Sequence, residues 1–264
     1  MSTTPTTLRR RLLAACALAA AATVTTAALS PAPALAVDWN FGKSEQVKGS
    51  GNIKRETRQV AGFKGLALAL PGQVEVRTGG SEGLSIETDD NLLPLIETVV
   101  EDGTLKIRAR NKVNLRTRNL KIVVQTRGVE RLALAGSGSI DADRMAGSRL
   151  QFDLGGSGNI RVGKAEGDAL SVNLGGSGDL KVNEGSARKL SASLGGSGTV
   201  DMARVRLDTA DVTLAGSGNA TLWVQKALEM SVAGSGDVNY YGDPQVSKSV
   251  VGSGSARRLG PAPR

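Results

Sequence analysis

Apolar and polar residues alternate in short runs along most of the chain, and many of these runs flank a glycine-rich triplet. Leu150, Phe152 and Leu154 precede one triplet, and Ile160 and Val162 follow it. A period of two is typical of a strand with one buried face, and no repeat contains a convincing helical run. The alternation returns at Leu170, Val172 and Leu174, at Leu190, Ala192 and Leu194, and at Leu228, Met230 and Val232.

The Gly-Ser-Gly triplets recur at a nearly fixed interval, with successive spacings of 20, 20, 20, 20, 18 and 18 residues. This period is typical of a solenoid or array, because a single unit cannot bury its own apolar face and must stack on its neighbours. One unit would be a strand, a Gly-Ser-Gly corner, a second strand and a variable polar segment such as residues 163–169. We predict an all-β fold, a parallel β-solenoid of about 20-residue repeats over residues 132–255, with triplets beginning at Gly136, Gly156, Gly176, Gly196, Gly216, Gly234 and Gly252.

Glycine suits the corners for two reasons. It adopts a positive φ without a Cβ penalty, and it leaves room where stacked backbones approach closely. The central serines, from Ser137 to Ser253, should form one ladder, and the residues two positions further on should form a second polar column. That column comprises Ser139, Asn159, Asp179, Thr199, Asn219, Asp237 and Ser255.

Residues 57–131 carry the same alternation less regularly and are predicted to form the first, irregular rungs. A short helix is plausible only in residues 89–103, where Pro94 would leave one turn or a strand. An eighth triplet at residues 49–51 stands apart from the others. We expect residues 37–56 to be an N-terminal linker and residues 256–264 to be a disordered tail.

The first 36 residues have the pattern of a signal peptide. Three arginines (residues 9–11) form a basic n-region, residues 12–22 form an apolar h-region, and Ala34-Leu35-Ala36 is a small-residue cleavage pattern. Cleavage after Ala36 would give an exported protein, periplasmic or secreted, with no transmembrane segment after cleavage. Three alternatives remain open: a lipoprotein acylated at Cys16, a weak twin-arginine signal, and retention of residues 12–29 as a membrane anchor.

The amino-acid composition excludes several classes of catalytic site and metal site. The chain has no histidine, which excludes His-based general acid–base catalysis, Ser-His and Cys-His pairs, and the common zinc sites. The single cysteine lies in the signal segment, so the mature chain would have no disulfide. Removing the three signal arginines lowers the formal net charge from +8 to +5. The seven aromatic residues offer few platforms for stacked sugars or bases, and no specific nucleic-acid binding is expected.

Several segments together resemble a known family. These are "GSGNIKRETRQVAGFKGLALALPGQVEV", "SIETDDNLLPLIETVVEDGTLKI" and the stacked "LGGSG" units, covering residues 49–255. They are similar to the putative autotransporter adhesin, head GIN domain family of exported bacterial proteins. The resemblance implies a right-handed all-β solenoid. It implies no reaction, no cofactor and no catalytic residues.

Read alone, the triplet could be a ligand loop. A dinucleotide-binding loop needs a helix after its glycines, whereas a strand follows here. Calcium loops of repeat-in-toxin proteins recur every nine residues, against about twenty in this chain. Asp89-Asp90 could supply paired carboxylates for glycoside hydrolysis, but Asp-Asp-Asn before an apolar run is first of all turn chemistry. We therefore predict neither a metal, nor a cofactor, nor catalytic residues.

A basic stripe is the one candidate binding site. Lys106, Arg108, Arg110 and Lys112 share one parity of a predicted strand, and Arg116 and Arg118 extend the run. Such a face would attract anionic polymers such as acidic polysaccharide, lipopolysaccharide phosphate or, without sequence specificity, extracellular DNA. The simpler interpretation is a solvated strand face that resists aggregation.

The sequence thus favours a non-catalytic exported protein of the cell envelope, an adhesin or another binding or structural module. Its partner would be an anionic polysaccharide, another envelope component or a protein. Two alternatives remain: a carbohydrate-active enzyme (a polysaccharide lyase or hydrolase) on a β-helical scaffold, and a periplasmic spacer or sensor subunit that binds a partner protein.

Overall fold

Alternating sequence becomes strand over nearly the whole of the region that the structure describes. A computed structural model describes residues 45–263, and these residues contain strands and one 3-10 turn but no α-helix. Within these residues, no helix is long and apolar enough to cross a membrane. In chain order the elements are β1 (Glu45–Lys48), β2 (Ile53–Arg58), β3 (Gly65–Ala69), β4 (Gln73–Thr78), β5 (Gly83–Asp89), the 3-10 turn (Leu93–Leu95), β6 (Ile96–Glu101), β7 (Thr104–Ala109), β8 (Val113–Arg116), β9 (Lys121–Thr126), β10 (Arg131–Gly136), β11 (Ser139–Gly156), β12 (Asn159–Gly176), β13 (Asp179–Gly196), β14 (Thr199–Gly216), β15 (Asn219–Gly234), β16 (Asp237–Tyr241), β17 (Gln245–Gly252) and β18 (Ser255–Gly260).

The repeats form a parallel β-solenoid of about six turns, as the sequence predicts. Each strand from β11 to β14 pairs in parallel with the next, and equivalent residues of successive repeats lie side by side. Leu154, Leu174, Leu194 and Leu214 therefore form one buried column, each at most 4% exposed. Alternation places similar columns along the interior, and their contact with one another supplies the apolar core.

The variable polar segments, to which the sequence analysis assigns no strand, are strands in the structure. Residues 163–169 lie within β12 and pair with β11 on one side and β13 on the other. They form a third side of the coil. One register position on this side is buried at Met145, Ala165 and Val205 and is occupied by the half-buried Gly185 in the repeat between the last two. One inward residue among polar neighbours is too weak a signal to show alternation.

The triplets are corners, and their geometry confirms the need for glycine. Gly156 has a φ of 117°, and a Cβ placed on it would lie 2.5 Å from the carbonyl oxygen of Gly136 in the preceding coil. The next residue, Ser157, is exposed and donates its backbone N–H to that oxygen at 3.0 Å. The corner carbonyls are thus satisfied by the next coil, and a larger residue would separate the two.

The first rungs do not follow chain order. β3 lies between β7 and β10, and β4 lies between β9 and β11, all in parallel. Beyond them, β5 pairs antiparallel with β9, and β6 pairs antiparallel with β7. The parallel stack is therefore followed by antiparallel strands, β5 and then β2 on one side and β6 on the other.

Both expected disordered ends contain strands. β1 pairs with β8 and β2 with β5 inside the predicted linker, so the linker assignment is wrong from Glu45 onward. β18 continues the register of β16 into the predicted tail, so that assignment is wrong as well. Short polar strands are hard to predict from sequence when the strands they pair with are distant in the chain.

The signal peptide, its cleavage after Ala36 and the alternative anchor at Cys16 lie outside the described residues. The turn at Pro94 followed by β6 agrees with the prediction for residues 89–103.

The C-terminal end of the solenoid carries charge at core positions. Lys248 occupies the register of Met230, and Arg258 that of Tyr240. The Arg258 Nε donates to the Gly242 carbonyl at 2.7 Å and covers the end of the core. Inward-pointing charges at an open edge oppose the addition of another strand, because stacking would bury them.

We predict that Gly156→Val lowers the free energy of unfolding by about 3 kcal/mol or more, from backbone strain and overpacking at the corner. For a domain of this size that is a fall in melting temperature of roughly 6–12 °C. The control is Gly175→Val, because a Cβ at Gly175 meets nothing within 4 Å. Equal melting temperatures for the two variants would contradict the corner geometry.

We also predict that the double variant Lys248→Val/Arg258→Val self-associates through the C-terminal edge. Removing both charges leaves an open strand edge with exposed Val246 and Val250. Size-exclusion chromatography with light scattering should show concentration-dependent assembly. Lys189→Val/Arg206→Val, which removes the same charge from exposed sides of regular coils, should stay at the wild-type mass; assembly of both variants alike would exclude an effect specific to the end.

Candidate functional site

The structure divides the basic stripe into two parts. In the first part, β6 lies beside β7 and brings carboxylates to the cations. The Lys106 Nζ lies 2.6 Å from the Glu101 Oε2, and the Arg108 Nε lies 3.2 Å from the Glu97 Oε2. A hydrogen bond from Lys106, together with its charge, lowers the pKa of Glu101 below its usual value. These two cations are therefore largely compensated.

Sequence reasoning missed this pairing, although a signal for it exists. Asp102-Gly103 separates two apolar–polar runs, and Asp-Gly in that setting is a strong hairpin signal. Both residues have positive φ, 50° and 68°, as a two-residue hairpin turn requires. Recognising the hairpin would have placed Glu97 opposite Arg108.

The second part of the stripe keeps its charge. It consists of Arg110, Lys112, Arg116 and Arg118, which we call the 110–118 cations. All four are exposed, and none makes an ion pair within the described part of the chain. Arg110 makes only a long hydrogen bond, 3.4 Å, to the Pro94 carbonyl. Lys112 has a φ of 62° in the turn before β8, so the chain leaves the face of β7 there and the stripe is not continuous.

A second basic region lies at a corner of the solenoid. A half-open cleft of about 1040 Å³ lies between the β6–β7 turn, the connection from β9 to β10, and residues 146–151 of β11. Arg127, Arg131 and Arg149 all line it. We call it the corner cleft. The sequence analysis did not identify it, because its three arginines come from separate segments of the chain.

The cleft exists because the coils differ in shape. From β11 onward each coil has a third side, whereas the rung below it ends with β4 at Thr78 and turns away at Gly79 and Gly80. Residues 144–149 therefore pair with β12 only, and their other edge faces the cleft. Asp143 ends the pairing on that side, because its carboxylate accepts the N–H and the hydroxyl of Thr78, each at 2.8 Å.

Charges of both signs line the cleft. The Lys64 Nζ pairs with the Glu130 Oε1 at 2.8 Å, and the Arg131 Nε donates to the Gln151 side chain at 3.3 Å. Arg127 and Arg149 are exposed and have no carboxylate partner among the described residues. Glu82 accepts the N–H of Gly62, and Asp102 is exposed at the hairpin turn. Two guanidinium groups and two carboxylates thus retain binding capacity.

The Asp-Asp-Asn segment holds the isolated eighth triplet. Asp89 is 3% exposed and accepts hydrogen bonds from the Thr117 hydroxyl (2.6 Å) and the Gly51 N–H (2.7 Å). Asp90 accepts from the Ser50 hydroxyl, and Asn91 accepts from the Ser50 N–H. The Thr117 and Gly51 donors lower the pKa of Asp89, whereas a general acid needs a raised pKa. The segment is structural, as its turn chemistry predicts.

Other carboxylates join successive coils. Ion pairs link Lys181 to Asp201 (3.1 Å), Arg188 to Asp168 (2.7 Å) and Lys226 to Asp208 (2.9 Å). Within residues 45–263, no three His, Cys, Asp or Glu side chains converge as a metal site would require.

Comparison with known proteins gives a family and a fold. Residues 62–244 match the family model described as putative auto-transporter adhesin, head GIN domain. A solved putative adhesin from Bacteroides fragilis is similar, with 22% identity and a TM-score of 0.75 over 81% of this chain and 100% of that one. A solved protein from Parabacteroides distasonis, named a putative lipid binding protein, has 26% identity and a TM-score of 0.69 over the same shares of the two chains. A putative adhesin from Parabacteroides merdae has 18% identity and a TM-score of 0.66 over 81% of this chain and 99% of that one. No curated protein matches the sequence.

We predict that Asp89→Asn lowers the melting temperature at neutral pH and weakens its dependence on acid pH. Because the folded-state pKa of Asp89 is lowered, its carboxylate stabilises the fold above the unfolded-state pKa of about 3.9, and this stabilisation is lost as the pH falls through the folded-state pKa. Thermal unfolding from pH 7 to pH 2.5 measures the difference. Asp179→Asn is the control, because Asn159 and Asn219 occupy the same column in other coils. If the two variants had the same melting temperature at every pH, the hydrogen bonds of Asp89 to the eighth triplet and to Thr117 would not contribute to stability.

Proposed function

The chain belongs to the putative auto-transporter adhesin, head GIN domain family, and on that premise we propose that it is a non-catalytic exported protein that binds anionic polymers of the cell envelope. The observation that carries this proposal is the uncompensated charge of the 110–118 cations. Elsewhere on the described surface many cations face a carboxylate of the same or the next coil. Four exposed cations within nine residues form a site for dense negative charge.

The scaffold supports the same proposal. Backbone pairing between coils and the continuous core make the solenoid a rigid support, so binding orders the exposed side chains of these cations but requires no rearrangement of the core. Acidic polysaccharide and lipopolysaccharide phosphate both present repeated negative charges that such a surface could contact. The association would depend on salt, because exposed charges are screened over about 8 Å at physiological ionic strength.

The two alternatives have less support. A glycoside hydrolase needs two carboxyl groups across a cleft, one of them with a raised pKa. Each carboxylate of the described region whose pKa departs clearly from its usual value is shifted downward: Asp89, Glu101, Glu166 and Asp208. A spacer or sensor role would need a partner protein. The charged C-terminal end of the solenoid disfavours a partner that adds its strands to that edge.

We predict that Arg116→Ser/Arg118→Ser weakens binding to immobilised polygalacturonate or to lipopolysaccharide vesicles by about thirtyfold at low salt, since each of the two cations contributes about 1 kcal/mol near an anionic surface. Surface plasmon resonance at two salt concentrations, with neutral dextran as the reference, measures the effect. Added salt should weaken wild-type binding.

Two controls separate local contact from net charge. Lys189→Ser/Arg206→Ser removes the same charge from regular coils and should change the affinity less than threefold at physiological salt, where screening limits distant charges. Glu97→Ser/Arg108→Ser removes a complete ion pair and should leave binding unchanged. Equal losses in all three variants would exclude the 110–118 cations as the contact. Turnover in a polysaccharide lyase and hydrolase panel would refute the non-catalytic assignment.

A further inference from the structure

We propose that the corner cleft binds a short acidic saccharide, with the sugar carboxylate held by Arg127 and Arg149 and its hydroxyls held by Glu82, Asp102 and the open edge of β11. This inference rests on the proposed function as an envelope-binding protein. It adds a second site, which would recognise a discrete sugar rather than the overall charge of a polymer.

The two arginines supply the anion site. Both line the cleft, both are exposed, and neither has a carboxylate partner among the described residues. A guanidinium group binds a carboxylate through two parallel hydrogen bonds, which gives direction as well as charge. Arg131 donates a hydrogen bond to Gln151, and Lys64 forms an ion pair with Glu130. These two cations therefore line the cleft without being available to the ligand, which would be bound by Arg127 and Arg149.

The remaining polar groups suit hydroxyls. Glu82 and Asp102 are carboxylates that would repel a polymer with closely spaced charges, but they would accept hydrogen bonds from sugar hydroxyls. The edge of β11 at Ala146 and Ser148 adds backbone donors and acceptors that no neighbouring strand uses. A ligand with one carboxylate among many hydroxyls matches both sets of groups.

A peptide strand fits this edge less well. The Glu130 side chain lies across it, because a Cβ placed on Gly147 would be 2.8 Å from the Glu130 Cγ. Lys64 holds Glu130 in that position at 2.8 Å. An added strand would have to break this ion pair, whereas a compact ligand can lie beside it. Phe63 is 3% exposed, so the cleft offers no aromatic face and recognition must rely on polar contacts.

The size of the cleft agrees with an oligosaccharide. Its volume of about 1040 Å³ lies just above the range of roughly 300–1,000 Å³ for small-molecule sites, which leaves room for more than one sugar unit. The cleft is also half open, so a longer glycan could continue out of it. The ligand would therefore be a terminal or internal acidic unit of a larger polysaccharide.

Isothermal titration calorimetry of residues 37–264 tests this proposal. The acidic probes, each with a single carboxylate, are galacturonic acid and sialyllactose, and the neutral counterparts are galacturonic acid methyl ester and lactose. We expect at least one acidic probe to bind and its neutral counterpart to bind more weakly. Arg149→Ser should weaken binding by about tenfold, the loss expected for one charge-assisted hydrogen bond. Arg127→Ser should have a similar effect.

The matched control is Lys189→Ser, because Lys189 lies in the register column of Arg149 two coils away and outside the cleft. It should retain wild-type affinity. No binding of either acidic probe, or equal affinities for Arg149→Ser and Lys189→Ser, would overturn the cleft assignment. Binding of hexaglutamate or inorganic phosphate in place of the sugars would also overturn it. Salt-dependent polymer binding through the 110–118 cations would be unaffected by these outcomes, so the two proposals can fail separately.

Discussion

The close approach of successive backbones at the Gly-Ser-Gly corners is the constraint on which the rest of the solenoid depends. At Gly156 a Cβ would lie 2.5 Å from the carbonyl oxygen of Gly136, so only glycine lets one coil turn directly above the previous one. That contact fixes the register, and the register places Leu154 beside Leu174 and the ion-pairing residues of one coil opposite those of the next. Core burial and surface charge pairing both follow from the geometry of the corner.

The regular half of the fold could be predicted because its information is local and repeated. Each repeat shows the same alternation of apolar and polar residues, so a repeat with a weak pattern can be interpreted from its neighbours. Parallel stacking of the repeats then buries the apolar face of every repeat. The third side was missed because residues 163–169 contribute one buried alanine among polar residues. The strand order of the first rungs could not be predicted from local sequence patterns either. β3 pairs with β7 and β10, which are distant from it in the chain, and their positions depend on tertiary packing.

The candidate sites show the same division between local and non-local information. Parity along one strand identifies an exposed row of cations, but it does not reveal the acidic strand that lies beside that row. Arg108 is unpaired in the sequence pattern and faces Glu97 in the structure. The corner cleft has no local pattern at all, since it forms where a three-sided coil is stacked on a rung without a third side. Such a mismatch between neighbouring rungs creates a concavity that a uniform solenoid would lack.

The two ends of the solenoid direct any binding to its sides. At the first end the parallel sheets are followed by the antiparallel strands β5 and β2 on one side and β6 on the other. At the second end Lys248 and Arg258 occupy core positions. Both arrangements disfavour the addition of further coils, which is the usual hazard of an open solenoid. The uncompensated cations and the corner cleft both belong to the irregular first rungs and the start of the first regular coil. The regular coils would then serve as a rigid support that holds this irregular region at one end, and the function of the chain should be sought there rather than in the repeats that dominate its sequence.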